Sequence, residues 1–180
     1  MEMVVLLNDE GEHVGLAPKS GIHSNQTPLH LAFSCYVFGR DGQLLLTRRS
    51  LAKQAWAGVW TNSVCGHPGA NEELVDAARR RAREELNLEL SDVQLVLPDF
   101  RYRAADPGGM EENEICPVMV AKVDRDPIPN TDEVMDWGWV DSESFSRALK
   151  KLPFVFSPWL QEQMPLLLAS EIFCEYCKGE

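Results

Sequence analysis

One helix limits the folds open to this chain. Asn71 to Asn87 carries the clearest helical pattern in the sequence. Asn71 is placed to cap it, and Glu72 and Glu73 fall in the first turn, where the helix dipole favours anions. Leu74, Ala78 and Ala82 recur at helical spacing, the stripe of a helix that packs on a core. At about 3.6 residues per turn, Glu85 lies only about 20° around the axis from Leu74. A carboxylate therefore stands on the apolar face, where a lone charge is costly to bury. Arg81 precedes it by one turn on nearly the same side. Two readings are open from the helix alone: an internal Arg–Glu pair, or a carboxylate aimed at a metal beside an arginine aimed at an anion.

Strands surround this helix. Met3 to Leu7 reads as the first, ending in a turn at Asn8 to Gly11. Gly15 to Pro28 reads as a loop carrying Lys19 and His23. Leu29 to Phe38 reads as one buried strand, turned at Arg40-Asp41-Gly42 into a partner over Gln43 to Arg49. Such a hairpin would bring His30 near Arg48 and Arg49. Val93 to Leu97, Phe100 to Ala104, Ile115 to Ala121 and Val134 to Val140 read as further strands. Phe145 to Leu152 reads as a short helix, and Ser157 with Pro158 opens a last one. One helix among strands, followed by late helices, predicts the α+β class: a mixed sheet flanked by helices in a single compact domain. With 180 residues, 44% of them apolar and 25% charged, the chain can bury one real core.

The formal charge of −11 disfavours a nucleic-acid partner. Eleven of the seventeen Lys and Arg lie at or before Arg103, so a local anion site is still possible. The five cysteines are odd in number and unevenly spaced, which fits reduced thiols in the cytoplasm better than a disulfide framework. The pair Cys174 and Cys177 stands without a second pair and reads as incidental. No apolar run approaches the ~20 residues of a membrane span, and no signal peptide opens the chain.

Chemistry concentrates in Cys65-Gly66-His67. In an extended segment Cys65 and His67 project to one side. The pair could be nucleophile and base, two metal ligands, or an acid–base group beside a metal; it could also be a buried thiol and a hydrogen-bonded core imidazole. Glu112 and Glu114 have the same period-two spacing and run directly into an apolar strand. Two carboxylates on one face repel unless a cation or a shared proton joins them. With His23, His30 and His67 they form a set of imidazoles and carboxylates suited to Mn²⁺, Mg²⁺ or Zn²⁺.

Gly66, Glu72, Arg80, Glu84 and Glu85 match the spacing of the Nudix box, a loop–helix–loop that holds Mg²⁺ against a diphosphate. Arg81 stands where the box has Glu, and Asn87 where it has Gly. The first departure puts hydrolysis of nucleoside diphosphates in doubt and favours holding a diphosphate uncleaved. The segments HLAFS (30–34), LLLTRR (44–49), GVWTNSVCGHP (58–68), DFRYRA (99–104), ENEICPV (112–118), DEVMDW (132–137) and FSPW (156–159) resemble the type I isopentenyl-diphosphate isomerases. Trp56-Ala57-Gly58 departs from that family's commoner Trp-Pro-Gly.

The resemblance implies a Nudix-like domain over residues 1–180, with its core over roughly 4–160 and a helical tail over 157–180. It implies interconversion of isopentenyl and dimethylallyl diphosphate by protonation and deprotonation through a tertiary carbocation. On that pattern Cys65 and Glu114 are catalytic, assisted by Tyr102. His23, His30, His67, Glu112 and Glu114 hold one metal, and Glu85 supports a Mg²⁺ bridging the diphosphate. Lys19, Arg49, Lys53 and Arg81 contact the diphosphate, and Trp159 offers an aromatic face to the cation. The partner implied is a small isoprenoid diphosphate, with no nucleic acid and no membrane, for a monomer or weak dimer.

Overall fold

The computed structural model describes residues 2–179. In chain order the elements are β1 (Met3–Leu7), β2 (His13–Pro18), β3 (His30–Leu31), β4 (Phe33–Phe38), β5 (Leu44–Arg49), β6 (Trp60–Thr61), β7 (Val64–Gly66), α1 (Leu74–Leu86), β8 (Ser91–Leu97), β9 (Arg101–Ala105), β10 (Glu111–Ile115), β11 (Val118–Lys122), β12 (Val134–Val140), α2 (Ser142–Lys151), α3 (Pro158–Leu168) and α4 (Glu171–Tyr176). One sheet has the order β2-β1-β3-β10-β9 and the other β12-β5-β4-β11-β8, with β6 on β5 and β7 on β4. The predicted α+β class holds.

Two runs that read as single strands each divide between the sheets. Leu29 to Phe38 breaks at Ala32 into β3 and β4, and Ile115 to Ala121 breaks at Cys116-Pro117, separating β10 from β11. Pro117 has no N–H to give to a ladder, so the break falls there. The runs stay side by side and parallel through the breaks. Glu114 pairs with His30 in one sheet and Val118 with Ser34 in the other. Ala32 N donates to Ile115 O at 2.9 Å and Ser34 N to Pro117 O at 3.1 Å, carrying the ladder across.

The expected loop from Gly15 is also partly strand, since β2 pairs along β1 from Pro18 to His13. The β4–β5 hairpin forms, but its strands pair only at Phe38 and Leu44. Beyond that point they splay. Trp60 and Thr61 fill the gap on the β5 side and Val64 to Gly66 on the β4 side. This insertion, rather than the hairpin, places Cys65 in the sheet.

The central strands bury both faces, so they read as unbroken apolar runs. Phe33, Cys35, Val37, Met119 and Ala121 pack with Ala77, Ala78, Ala82 and Leu86 of α1. Tyr36, Phe38, Val118 and Val120 pack with residues of α2, α3 and α4 on the other side. Helix α1 begins at Leu74 with Glu73 at its cap, later than the pattern suggests; Asn71 instead takes a left-handed φ of 61°. Asn87, at the box's Gly position, adopts the left-handed C-cap at φ 53°, and its N–H reaches Ala82 O and Arg83 O. Asn is one of the few residues that tolerates this conformation, so the departure from Gly preserves the helix end. Ser157 caps α3 by its backbone only; its hydroxyl turns to Thr61 Oγ1 at 2.9 Å.

The tail belongs to the core. Phe173 is fully buried, edge-on to Tyr36 and Phe38 at centroid distances of 6.1 and 5.3 Å. Cys177 O lies 2.5 Å from where a Cβ on Gly42 would stand, so the β4–β5 turn seats the tail backbone directly. No described helix is long and apolar enough to cross a membrane. Replacing Phe173 with Ala is expected to cost about 3–5 kcal/mol by urea unfolding, as for other buried Phe truncations; a loss below about 1 kcal/mol would show a tail only loosely attached.

Candidate active site

Strand β10 alternates, and both its even-numbered carboxylates point inward. Glu112 and Glu114 are each 6% exposed, while their neighbours are only half-buried. His30 is brought beside Glu114 by the parallel β3–β10 pair. His67 arrives from the end of β7 and His23 from the segment after β2. One ligand atom from each of His23, His30, His67 and Glu114 lies within 4.8 Å of the others. Glu112 borders this group, with Oε2 2.9 Å from His23 Nε2.

The inward atoms are short of protons. His30 Nδ1 donates to Pro28 O at 2.9 Å, which leaves the Nε2 lone pair of the neutral ring facing the centre. That atom lies 3.2 Å from His67 Nε2 and 3.4 Å from Glu114 Oε1, and His67 Nε2 is 3.2 Å from the same oxygen. A single proton on His67 can serve only one of these contacts. His23 Nε2 and Glu112 Oε2, though close, make no aligned hydrogen bond, and His67 Nδ1 is buried without one. Buried polar atoms normally find partners. Convergent lone pairs with none are the chemistry of a cation site, and the donor set fits a first-row divalent metal.

The charges respond to this packing. Burial pushes the Glu114 carboxyl up, but the bonds from His30 and His67 outweigh it and hold it well below the usual carboxylate range. Burial also works against charge on both imidazoles. At His30 the Glu114 bond and the Pro28 carbonyl overcome burial and the ring titrates higher than usual. At His67, which lacks a carbonyl on Nδ1, burial prevails and the ring titrates lower.

A cavity of about 490 Å³ opens over this cluster, lined among others by His23, His67, Cys65, Tyr102, Glu112, Glu114 and Trp159. That size suits a small ligand. Cys65 and His67 share its wall, as period two predicts, yet they do not bond. Cys65 Sγ donates to Asn62 Oδ1 at 3.0 Å, while His67 faces Glu114. The nucleophile–base reading of the pair therefore fails. Burial, only partly offset by contacts with Ser34, Asn62 and Arg49, pushes the Cys65 thiol up to about 11. Tyr102 stands opposite Glu114 in the β9–β10 register.

Lys19, Arg49, Lys53 and Arg81 line the same cavity. Lys19 Nζ bonds Glu2 at 3.0 Å, Lys53 bonds Glu133, and Arg49 donates to Ala55 O at 2.8 Å. Arg81 meets Glu85 directly, with Glu84 at 3.1 Å and Glu133 at 3.2 Å. Glu85 thus forms the internal pair that helix spacing allowed; it stands apart from the His cluster and does not line this cavity. Gly66 makes room for that pair, since a Cβ there would meet Arg81 Cγ at 2.9 Å. Arg80 bonds Glu72 at 2.8 Å and His67 O at 3.2 Å, and Glu72 accepts from Gly69 N at 2.7 Å. These two box residues clamp the loop that presents His67. The Arg49 guanidinium lies 5.5 Å from the centre of the Trp159 ring, so that ring already faces a cation.

Sequence reasoning passed over Glu133, Asn62 and Ser34. The acidic Glu133 bridges two of the four cavity cations, and the other two are small polar residues without a spacing signal.

Residues 28–163 match the NUDIX domain. Over 167 residues the chain is 55% identical to a Paenarthrobacter aurescens protein named isopentenyl-diphosphate Delta-isomerase, which covers 93% of this chain and 91% of the relative. The chain belongs to the NUDIX family, among its isopentenyl-diphosphate delta-isomerases. A Citrobacter koseri protein of the same name is 49% identical over 178 residues, 99% of this chain and 98% of that one. The fold recurs in a Deinococcus radiodurans crystal structure with a TM-score of 0.69 at 24% identity, covering 91% of this chain and 98% of that one. At that identity the likeness shows the fold alone.

The cluster makes a pH-dependent prediction. Ligands must be deprotonated to hold a metal, and His30 titrates above its ordinary value of about 6.5, so protons compete from there downward. Metal content after dialysis against Mn²⁺ or Zn²⁺ is expected to be high at about pH 8 and to fall away below about pH 6. His30→Ala and Glu112→Gln should bind less at every pH, measured by atomic absorption; unchanged content in His30→Ala would remove the cluster as a metal site.

Proposed function

We propose that the chain is a metal-dependent isomerase interconverting isopentenyl diphosphate and dimethylallyl diphosphate. The observation that carries this reading is a single cavity lined by a thiol, Cys65, a carboxylate, Glu114, and four cations. The names of the relatives point the same way. Isomerisation adds a proton to the terminal alkene carbon, leaves a tertiary cation on the next carbon, and removes a proton from the carbon beyond. One group must hold a proton and another must lack one.

Cys65 and Glu114 supply those groups, with Tyr102 beside Glu114. Sequence resemblance starts with the proton on Glu114 and the thiolate on Cys65. Burial, which raises the Cys65 thiol, and the His30 and His67 bonds, which lower the Glu114 carboxyl, favour the opposite start, with the proton on Cys65. Because the reaction runs both ways, both starting states lie on one cycle. A metal held by His23, His30, His67, Glu112 and Glu114 would supply positive charge that makes a carboxylic acid a stronger donor. Lys19, Arg49, Lys53 and Arg81 would orient the diphosphate. For Lys19 and Lys53, exchanging the partly exposed Glu2 and Glu133 for phosphate costs little, because such ion pairs are individually weak. Glu85 would support a diphosphate-bound Mg²⁺. The Trp159 and Tyr102 rings, 5.7 Å apart, would exclude water and face the cation.

The rival is hydrolysis of nucleoside diphosphates. It is disfavoured by Arg81 at a box glutamate position and gives Cys65 no task. The five cysteines, odd in number, fit a reducing, cytoplasmic setting, and we read the chain as a single domain over residues 1–180, a monomer or weak dimer.

Incubation with isopentenyl diphosphate and Mg²⁺ should yield dimethylallyl diphosphate by NMR; phosphate release from nucleotides without that product would favour the hydrolase. Cys65→Ser should abolish turnover yet retain diphosphate in a binding assay, and full activity would sink the assignment. Gly66→Ala, which displaces Arg81, should raise KM about tenfold, equivalent to about 1.4 kcal/mol, with a smaller effect on kcat; an unchanged KM would take Arg81 out of diphosphate binding.

A further inference from the structure

Asn62 lies between β6 and β7 and is 0% exposed. Its amide nitrogen donates to Cys35 O at 3.2 Å and Val64 O at 3.0 Å, which fixes the other end of the group as oxygen. That oxygen receives three donors: Thr61 Oγ1 at 2.9 Å, Cys65 Sγ at 3.0 Å and Trp159 Nε1 at 3.0 Å. Thr61 also contacts Ser157 Oγ at 2.9 Å, so the cluster reaches the start of α3. One atom thus ties the thiol of β7, the indole of α3 and the β6 hydroxyl together.

An amide oxygen has two lone pairs, and a thiol is the weakest of these donors. If the thiol swings away toward a ligand, the hydroxyl and indole still satisfy the oxygen and no buried acceptor is stranded. Ser34 gives the sulfur a second contact, with Oγ 3.6 Å from Cys65 Sγ. Ser34 itself accepts from Gln163 Nε2 at 3.0 Å, and Gln163 Oε1 accepts from Tyr36 at 2.7 Å. Its hydroxyl proton therefore stays available for Cys65 or for Cys116 Sγ at 3.4 Å. The sulfur can exchange one partner for another without crossing an unbonded state.

We infer that Asn62 is a positioning residue: through one carbonyl oxygen it registers the Cys65 thiol against the Trp159 indole, and it releases the thiol without leaving a buried acceptor unpaired. This rests on the isomerase reading, in which Cys65 reacts and Trp159 faces the substrate. Asn62 makes no hydrogen bond to any of the four cavity cations and reaches Arg49 only through the Trp159 ring, so its effect falls mainly on the reacting groups.

The test compares wild type, Asn62→Ala and Thr61→Val in isomerase kinetics and in the infrared S–H stretch of Cys65, isolated by difference from Cys65→Ser. Misplacing a reacting group by about 1 Å can cost about 100-fold. Asn62→Ala should therefore lower kcat by about 100-fold while KM stays within about threefold, and its S–H band should move to higher frequency. Thr61→Val removes a competing donor with little change of shape, so its S–H band should move to lower frequency as the thiol bonds Asn62 more strongly. Wild-type kcat in Asn62→Ala, or an S–H band unmoved in both variants, overturns the proposal. If Asn62→Ala fails to fold, Thr61→Val decides by its band alone. Absence of turnover in wild type overturns the isomerase reading instead, and the S–H bands test the hold on Cys65 independently of it.

Discussion

His30 and Glu114 are neighbours because two chain segments run parallel across both sheets. The β3–β4 segment lies along the β10–β11 segment, and the hydrogen bonds from Ala32 and Ser34 carry the ladder through the point where each changes sheet. Everything in the cavity is referred to that register. A slip of one residue would turn a strand's side chains to the opposite face, sending Glu112 and Glu114 outward and Asn113 in. Parallel strands need a long connection between them. Here that connection contains β6, β7 and α1, the parts that carry Cys65, His67 and Arg81. The same constraint therefore sets the metal-type cluster and delivers the Cys65–His67 loop beside it.

Side-chain alternation was readable from the sequence because it depends only on neighbours along the chain. Glu112 with Glu114, and Cys65 with His67, were placed on shared faces by period two, and the cavity wall has them so. The carboxylate on the apolar face of α1 was equally legible, as was its Arg81 partner. The sheet switches at Ala32 and Cys116 were not, since an apolar run looks the same whether or not it changes sheets. Nor was the wedge of β6 and β7 between β4 and β5, which depends on strands that splay after one pair. Asn62 escaped notice for a different reason. A small amide carries no periodicity, and its importance lies in three donors brought from β6, β7 and α3, which only the assembled fold reveals.

Net charge was a poor guide to local chemistry. The chain carries −11, yet Lys19, Arg49, Lys53 and Arg81 all line one cavity. Three of them are matched by Glu2, Glu133, Glu84 and Glu85, which hold the cations in place before any ligand arrives. Arg49 is held differently, by the Ala55 carbonyl and the Trp159 face, so its charge is the least neutralised of the four.

The Arg81–Glu85 pair also bears on why this NUDIX helix would serve isomerisation better than hydrolysis. A helix that presents open carboxylates to a metal is poised to work on the diphosphate itself. In this chain Arg81 replaces one such carboxylate and, by bonding Glu85, engages another. Both groups are almost fully buried, at 5% and 6% exposure, so separating them without replacements would leave costly unpaired charge. A diphosphate would supply the replacement partner for Arg81, and a Mg²⁺ accompanying it would supply one for Glu85. On the isomerase reading Glu85 would be freed to hold Mg²⁺ as the diphosphate takes Arg81, and the diphosphate would anchor the substrate while protons move between it and Cys65 and Glu114.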